Sequence, residues 1–290
     1  MIWQALYNGV VTGALYALVA LGYTLIYGVA RLINFAHGDV MMVGAYTCLF
    51  CMERFHLPPA PALLAAIAAG ALIALLIERL AVRPAARKGD RLAPVISTIG
   101  ASVVLQAGAG LLFGAAARSL PGGKLLDPIY LGPIQTTLAQ LSTLVGGSVL
   151  TLVLALFLKF HLYGQAIRAV ADDPTLAETV GIAPHRIAQI AFALSGIMAA
   201  LAGIAVGLDS SLRPTMGYSL GFMGFTAAVL GGIGNPTGAI LGAMLVGMVS
   251  SLTGTYLSSA WLPGYVFGTL ALLLLFRPQG LLPGRKAVAT

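Results

Sequence analysis

Long stretches without a charged residue limit, more than any other feature, how this chain can fold. Five of them are residues 1–30, 55–77, 92–117, 128–158 and 187–208. A further 63 uncharged residues separate Arg213 from Arg277. A helix that crosses a bilayer needs roughly 20 predominantly apolar residues. The pattern therefore predicts several membrane-spanning helices.

The composition supports the same conclusion. The chain is 59% hydrophobic and 9% charged, whereas soluble domains carry about 25% charged residues. This deficit argues against a soluble enzyme, a disordered tail and a secreted disulfide scaffold. The 36 glycines suit close helix packing in lipid. We expect one all-α, polytopic membrane domain over residues 1–290.

The basic residues predict the topology, because Lys and Arg concentrate in cytoplasmic loops. Nine crossings with the N-terminus outside and the C-terminus cytoplasmic place 12 basic residues inside and 4 outside. The predicted helices are 3–28, 34–53, 60–78, 92–114, 140–158, 188–208, 217–234, 238–257 and 260–276. Eight crossings remain the alternative, because the second helix and the junction of the seventh and eighth are the weakest segments.

Two breaks in the apolar pattern are candidates for a translocation path. The first runs from Gly28 to Gly38 and the second from Gly231 to Gly238. Broken segments at matching positions of two halves indicate an inverted-repeat transporter whose path they line. The predicted path residues are Asn34, His37, Asp39, Gly231, Gly232, Gly234 and Asn235. The alternative for the first break is an interfacial turn with Asp39 as the N-cap of the next helix.

The loop at about residues 159–187 is predicted to be structured and cytoplasmic. Asp172 or Asp173 would cap a short helix that begins at Pro174 and ends near Gly181. Leu176, Ala177 and Val180 would form its apolar face. We expect this helix to dock into a groove of a partner protein. The alternative is a helix lying in the lipid interface, although its polar face is acidic rather than basic.

The only two cysteines, Cys48 and Cys51, lie three residues apart in an apolar segment. We expect them to pack as small hydrophobic side chains. No second cysteine pair accompanies them, so no metal site is predicted.

The sequence resembles the permease subunits of branched-chain amino-acid ABC transporters, the LivH-type family, with matches from about residue 9 to residue 281. One departure is Asp39, where the family often carries Glu, and another is Leu282, where an aromatic residue is common. The matching residues are Gly13, Tyr16–Leu18, Ala20–Gly22, Leu25–Val29, Ile33–Gly38, Gly44–Tyr46, Arg168, Ala169, Ala177, Gly181, Ile182, Gly231–Asn235, Gly238, Ala239 and Arg277–Leu281.

The resemblance implies an inverted-repeat ABC importer permease in a bacterial inner membrane. Its partners would be a second homologous permease, two cytoplasmic ATPases and an extracytoplasmic binding protein. The chain has no G-x-x-x-x-G-K-[ST] motif. ATP would therefore be bound by the ATPases, and we expect no enzyme activity, no cofactor and no nucleic-acid partner. The loop would contact the ATPase through Gly164, Arg168, Ala169, Asp172, Asp173, Ala177, Gly181 and Ile182.

The segment Gly207–Pro214 is predicted to face outward. Asp209 and Arg213 in it are candidates for contacting the binding protein. The alternative is an ordinary exposed turn.

Four other functions stay open at this point. A urea or short-amide permease of the same wider family fits the same residues, and a sugar or nucleoside permease fits them less well. A proton-coupled carrier would need a relay of buried carboxylates, and Asp39 is the one available. An intramembrane enzyme based on His37 and Asp39 lacks an accompanying nucleophile motif or metal set.

Overall fold

The computed structural model describes residues 1–87, 89–90 and 92–282. Helices make up most of it, and each of the nine predicted segments contains one. The α-helices are α1 (Ile2–Ala30), α2 (His37–Arg54), α3 (Pro59–Ile77), α4 (Arg83–Ala86), α5 (Ala93–Phe113), α6 (Leu138–Phe160), α7 (Leu162–Asp172), α8 (Pro174–Thr179), α9 (Pro184–Asp209), α10 (Met216–Gly231), α11 (Pro236–Tyr256) and α12 (Leu262–Phe276).

Shorter elements complete the described part of the chain. A π-helical turn, Glu78–Val82, joins α3 to α4, and 3-10 turns cover Gly123–Leu126 and Ser259–Trp261. Strands β1 (Pro128–Leu131) and β2 (Ile134–Thr137) form an antiparallel hairpin in which Pro128 pairs with Thr137. Gly132 stands in its two-residue loop with φ 61°. Neither this hairpin nor helix α7 was predicted from the sequence.

Seven described helices are long and apolar enough to cross a membrane. Two of the nine predicted helices fall outside this group. Helix α10 has only 16 residues, and the 18 residues of α2 include three charged ones, Asp39, Glu53 and Arg54. Both of these helices begin inside the bundle.

Helix α1 lies at the centre of the bundle, and 83% of its most apolar window is buried. It packs along α11, α9 and α10. Glycine permits the closest approach, because a Cβ atom at Gly247 of α11 would collide with the backbone of Gly13. The Oγ of Ser251 also donates to the carbonyl of Ala5 at 2.6 Å. The chain thus surrounds its first helix with its later ones.

The bundle has two ends, which we name by the elements found there. At the hairpin end, Gln4 of α1 exchanges two 2.7 Å hydrogen bonds with the backbone of Gln135 in β2. At the α7 end, the guanidinium of Arg31 donates to the carbonyl of Ala171 at 2.5 Å. Helix α1 therefore runs from the hairpin end to the α7 end.

The chain turns back into the bundle after α1. Arg31 ends the helix in the left-handed conformation, with φ 52°. Residues 31–36 then return to the interior, as the contact between the ring of His37 and Gly22 shows. Gly22 precedes Ala30, the last residue of α1, by eight residues, or about 12 Å along the helix axis. Helix α2 starts at that depth. Asn34, His37 and Asp39 are therefore buried within the bundle.

The chain makes a second inward turn from the opposite end. Helix α9 ends at Asp209 at the hairpin end, and residues 210–215 lead inward to α10. Leu212 in this segment is fully buried, and its backbone pairs with that of Arg118 through bonds of 3.0 and 2.6 Å. A long helix, a six-residue turn and a helix that begins inside thus occur twice, in opposite directions.

Candidate translocation site

The first turns of α2 and α10 meet inside the bundle. A Cβ atom at Gly38 would collide with the carbonyl oxygen of Gly217, and one at Gly217 would lie 2.7 Å from the carbonyl oxygen of Gly38. A Cβ atom at Gly221, one turn further along α10, would lie 2.8 Å from the Cα of Gly38. Only glycine leaves room for this contact. We call it the glycine junction, formed by Gly38, Gly217 and Gly221.

Asn34 shapes the turn that leads into the junction. Its side-chain oxygen accepts from the amide of Ala36 at 3.1 Å, and its carbonyl accepts from the amide of His37 at 3.2 Å. An asparagine that binds the backbone two residues ahead is a standard turn former. Since Asn34 is buried, the turn belongs to the interior of the protein.

His37 fills the space between α1 and α9. Its Nδ1 lies 3.0 Å from the Oγ of Ser195, and its ring makes an edge contact with Tyr23 at 4.7 Å between centroids. The ring also interacts with the backbone of Val19 in α1. His37 therefore ties the start of α2 to two long helices.

Asp39 is the buried carboxylate next to the junction. Its exposed fraction is 0%. Ser102 and Gln106 of α5 are placed to hydrogen-bond to the carboxylate, and no described cation pairs with it. The carboxylate also lies against Gly217, so it stands at the N-terminal ends of α2 and α10, where helix dipoles favour negative charge.

The alternative of an interfacial turn capped by Asp39 is wrong. The N-cap position of α2 is Ala36, and no side chain caps this helix. Asp39 lies in the first helical turn and is enclosed by protein.

The second predicted break lies at the α7 end. Gly232 and Gly234 have φ values of 103° and 90°, and the Oδ1 of Asn235 caps α11 by accepting from the amides of Thr237 and Gly238 at 3.1 and 3.3 Å. The backbone of Leu281 and Leu282 bonds back to Leu230 and Gly231. The break is thus a closed, capped turn.

The structure does not bring the two predicted breaks together at one depth. The second break lies beside the last turn of α1, where Gly234 contacts Tyr27. It comprises Gly231, Gly232, Gly234 and Asn235. The segment that matches residues 31–36 is residues 210–215. The pairing of the first break with Gly231–Gly238 is therefore wrong, because Gly231 ends α10 and the interior start of α10 lies at Met216.

Helices α7 and α8 form an angled unit at the α7 end. Gly164 sits so tightly on the backbone of Phe157 and Leu158 that a Cβ atom would collide with both. Arg168 donates to the carbonyl of Lys159 at 3.2 Å, and Ala169 is half-buried beside it. Asp172 ends α7. The unit is thus fixed to α6.

Helix α8 has the caps that the sequence predicted. The Oδ1 of Asp173 accepts from the amides of Thr175 and Leu176 at 2.8 and 3.0 Å. At the other end Gly181 has φ 85°, and the amide of Ile182 donates to the carbonyl of Ala177 at 3.0 Å. Ala177 is buried, whereas Leu176 and Val180 are exposed. The predicted apolar face is therefore divided between the bundle and the outside.

The proposed binding-protein residues lie at the hairpin end. Asp209 is the last residue of α9, and its Oδ1 accepts from Gln140 at 3.2 Å. Arg213 is exposed in the turn that leads to α10, three residues before Met216. The two side chains are thus available at the same end of the bundle.

Sequence reasoning missed the partners that enclose the first break. Gly217 and Gly221 form a small-xxx-small pair, which indicates close helix packing and was a usable signal. Ser195 and Tyr23 carried no comparable signal, since one polar residue in an apolar helix does not reveal which helix it faces. The hydrogen bond from half-buried Gln189 to buried Glu78, at 3.2 Å, was missed for the same reason.

A bundle of membrane-spanning helices in which two helices begin in the interior is typical of transport proteins. Residues 5–276 match the family described as branched-chain amino acid transport system, permease component. The chain belongs to this family.

Individual relatives agree with the family assignment. The chain is 35% identical to LivH of Salmonella typhimurium, a high-affinity branched-chain amino acid transport system permease protein, over 98% of this chain and 96% of the relative. It is 35% identical, with the same coverage, to BraD of Pseudomonas aeruginosa, which carries the same description. Among solved structures, PsaBC from Streptococcus pneumoniae in complex with Fab is similar in fold, with TM-score 0.54, 12% identity and coverage of 96% and 92%.

Proposed function

We propose that the chain is a permease subunit of an ATP-driven importer of branched-chain amino acids. It would form the translocation path with a second homologous permease, take its substrate from an extracytoplasmic binding protein and be driven by two cytoplasmic ABC ATPases. The descriptions of LivH and BraD support the substrate class. The membrane would be the bacterial inner membrane.

The observation that carries this proposal is the α7–α8 unit. It is anchored on the bundle side by Gly164, Ala177 and the bond from Arg31 to Ala171. On its outer side Leu162, Leu176 and Val180 are 80%, 64% and 74% exposed. A fixed pair of short helices with exposed apolar side chains suits docking into a groove of a partner. We assign this role to contact with the ATPase.

The distribution of positive charge supports a cytoplasmic α7 end, and with it a cytoplasmic C-terminus. Lys and Arg accumulate on the cytoplasmic side of membrane proteins. Among basic residues whose side chains the structure describes, eight lie at the α7 end and three at the hairpin end. The first group is Arg31, Arg79, Arg83, Arg87, Lys159, Arg168, Arg186 and Arg277, and the second is Arg54, Arg118 and Arg213.

The proposed mechanism connects the ATPase to the glycine junction. Movement of α7 reaches α1 through the bond from Arg31 and reaches α6 through Gly164. The turn at Gly231–Asn235, which contains Gly232 and Gly234, adjoins the same end of α1. It connects α10 to α11. A partner shifts a conformational equilibrium only by binding its two states with different affinity. ATP-driven closure of the ATPases would therefore shift α10 against α2.

Asn34, His37 and Asp39 are the proposed gate residues, because they hold the start of α2 against α10. The gate region offers one carboxylate, Asp39, as a partner for a zwitterionic substrate. We therefore assign most of the substrate selectivity to the binding protein, which would dock near Asp209 and Arg213.

The test is uptake of labelled leucine, with labelled urea in parallel, in proteoliposomes that contain this chain, the second permease, the ATPases and the binding protein. We expect leucine uptake that requires ATP and this chain. Urea uptake without leucine uptake would overturn the substrate assignment, and uptake without ATPases would overturn the ATP-driven mechanism.

A single substitution tests the docking role of α8. Leu176→Asp places a charge in the proposed interface and should lower ATP-dependent uptake and retention of the ATPase by at least about tenfold, the loss typical of a central interface residue. The matched control is Leu257→Asp, since Leu257 is 60% exposed at the hairpin end. Equal uptake by the two variants would contradict the assignment.

A further inference from the structure

A cavity of about 470 Å³ opens at the α7 end of the bundle. Its walls come from four elements that are far apart in sequence: the end of α1, the end of α6, helix α7 and the turn before α11. The residues that carry its chemistry are Thr24, Leu25, Arg31, Lys159, Ile167 and Arg168. The cavity lies between membrane helices at the level where they end, so it adjoins the headgroup region of a surrounding bilayer.

The outer part of the cavity is basic. Arg31 caps the end of α1, Lys159 lies in the last turn of α6 and Arg168 lies within α7. Asp172 is the one carboxylate in the described lining. Arg31 and Arg168 each use one nitrogen for a backbone carbonyl, and a guanidinium has five N–H donors. Three cations against one carboxylate favour an anionic ligand.

The inner part is mostly apolar and contains one unpartnered hydroxyl. Leu25, Leu158 and Ile167 line it. Thr24 is only 2% exposed, and its hydroxyl has no hydrogen-bond partner among the described residues. A buried donor without an acceptor is unfavourable. A ligand with an acceptor oxygen next to an apolar portion would satisfy this hydroxyl.

We propose that this cavity binds an anionic phospholipid, with the phosphate held by Arg31, Lys159 and Arg168 and an acyl ester near Thr24. Basic pockets between membrane helices on the cytoplasmic side are suited to acidic lipid headgroups. The apolar wall fits the start of an acyl chain, which a free phosphate would not fill. Because the cavity contacts α7 and the Gly231–Asn235 turn, the bound lipid would brace the α7–α8 unit against α1.

The experiment uses the purified full-length chain in a neutral detergent, titrated with dioleoyl phosphatidylglycerol or dioleoyl phosphatidylcholine. Native mass spectrometry counts retained lipid, and the melting temperature reports stabilisation. We expect retention and stabilisation with phosphatidylglycerol only. Equal retention of the two lipids would overturn the proposal. Displacement of the lipid by millimolar inorganic phosphate or ATP would also overturn it, since the site would then serve a soluble anion.

The variant Arg31→Gln/Lys159→Gln/Arg168→Gln should bind phosphatidylglycerol about a hundredfold more weakly, since each cation near an anionic lipid contributes roughly fivefold. The control Arg79→Gln/Arg87→Gln/Arg186→Gln removes as many charges from exposed positions at the same end and should bind normally. Ala155→Phe, which fills the cavity without changing charge, should also weaken binding and decides the matter if the first variant does not fold. Wild-type affinity in Ala155→Phe would overturn the proposal.

Discussion

Gly38 and Gly217 are the second residues of α2 and α10, and each packs against the carbonyl of the other. The contact is reciprocal, as expected where two copies of a helix–turn–helix unit face one another in opposite directions. It joins a segment that enters from the α7 end to one that enters from the hairpin end. Separation of these two residues would therefore open the interior toward both ends.

Alanine at position 217 should disrupt the junction. The added Cβ would lie 2.7 Å from the carbonyl oxygen of Gly38 and 2.8 Å from the Cα of Asp39, so α2 and α10 must move apart. We expect Gly217→Ala to destabilise the protein by about 1–3 kcal/mol, the range for overpacked cores. The melting temperature in detergent measures this change. The control Gly108→Ala lies in α5 with no atom within 4 Å of its Cβ, and it should leave the melting temperature unchanged or raise it. A drop as large in Gly108→Ala would refute the explanation.

Removing the hydroxyl of Ser195 should weaken the attachment of His37. Ser195→Ala leaves the buried Nδ1 of His37 without its 3.0 Å partner, and an unsatisfied buried polar group costs about 1–3 kcal/mol. The comparison is Ser219→Ala, whose hydroxyl bonds only to the carbonyl of Met216 in its own helix. Thermal unfolding should show the larger loss for Ser195→Ala. Equal losses would mean that the contact with His37 does not stabilise the start of α2.

Substitutions of Asp39 should affect transport without lowering the stability of the protein. Asp39→Asn removes a buried charge that no described cation neutralises, and the amide can still hydrogen-bond to Ser102 and Gln106. We therefore expect an unchanged or higher melting temperature, together with an ATP-dependent leucine uptake at least about tenfold lower, a change of about 1.4 kcal/mol in barrier. Asp39→Glu keeps the charge and should retain more uptake than Asp39→Asn. Normal uptake by Asp39→Asn would show that the carboxylate takes no part in transport.

Substitutions of Asn235, the N-cap of α11, should lower the melting temperature in graded steps. Asn235→Ala loses both bonds to the amides of Thr237 and Gly238, and loss of an N-cap typically costs about 1 kcal/mol. Asn235→Asp keeps the accepting oxygen but loses the amide donor that lies 3.5 Å from the carbonyl of Leu282. Melting temperatures should therefore decrease from wild type to Asn235→Asp to Asn235→Ala. The reverse order for the two variants would exclude capping as the main role of Asn235.

The sequence predicted the helices well because the physical signal for a membrane span is long and local. Twenty apolar residues between charges define a span without knowledge of its neighbours. Helix α7 was missed because it is only 11 residues long and mixes polar with apolar residues. The hairpin was missed because strands of four residues carry too little alternation to be recognised.

The site was predicted only in part. Asn34, His37 and Asp39 stood out because polar groups are rare in such a segment, and all three are buried. Their partners Ser195 and Gly217 lie more than 150 residues away in sequence. The Gly217/Gly221 pair indicates close helix packing but not which helix it meets, and Ser195 carries no such signal. The second break was misassigned because a capped turn and an interior helix start have the same glycine-rich composition.

The burial of α1 has a consequence for biosynthesis. The helix made first is enclosed by α9, α10 and α11, which are made late, and it packs closely on α11 through Gly13 and Gly247. During translation α1 must therefore remain in lipid, surrounded by temporary neighbours, until more than 200 further residues have been synthesised and α11 begins at Pro236. The side chains on its surface are mostly small and weakly polar, so the helix can stay in lipid during that time. Maturation of the subunit then ends with the closing of later helices around the oldest one.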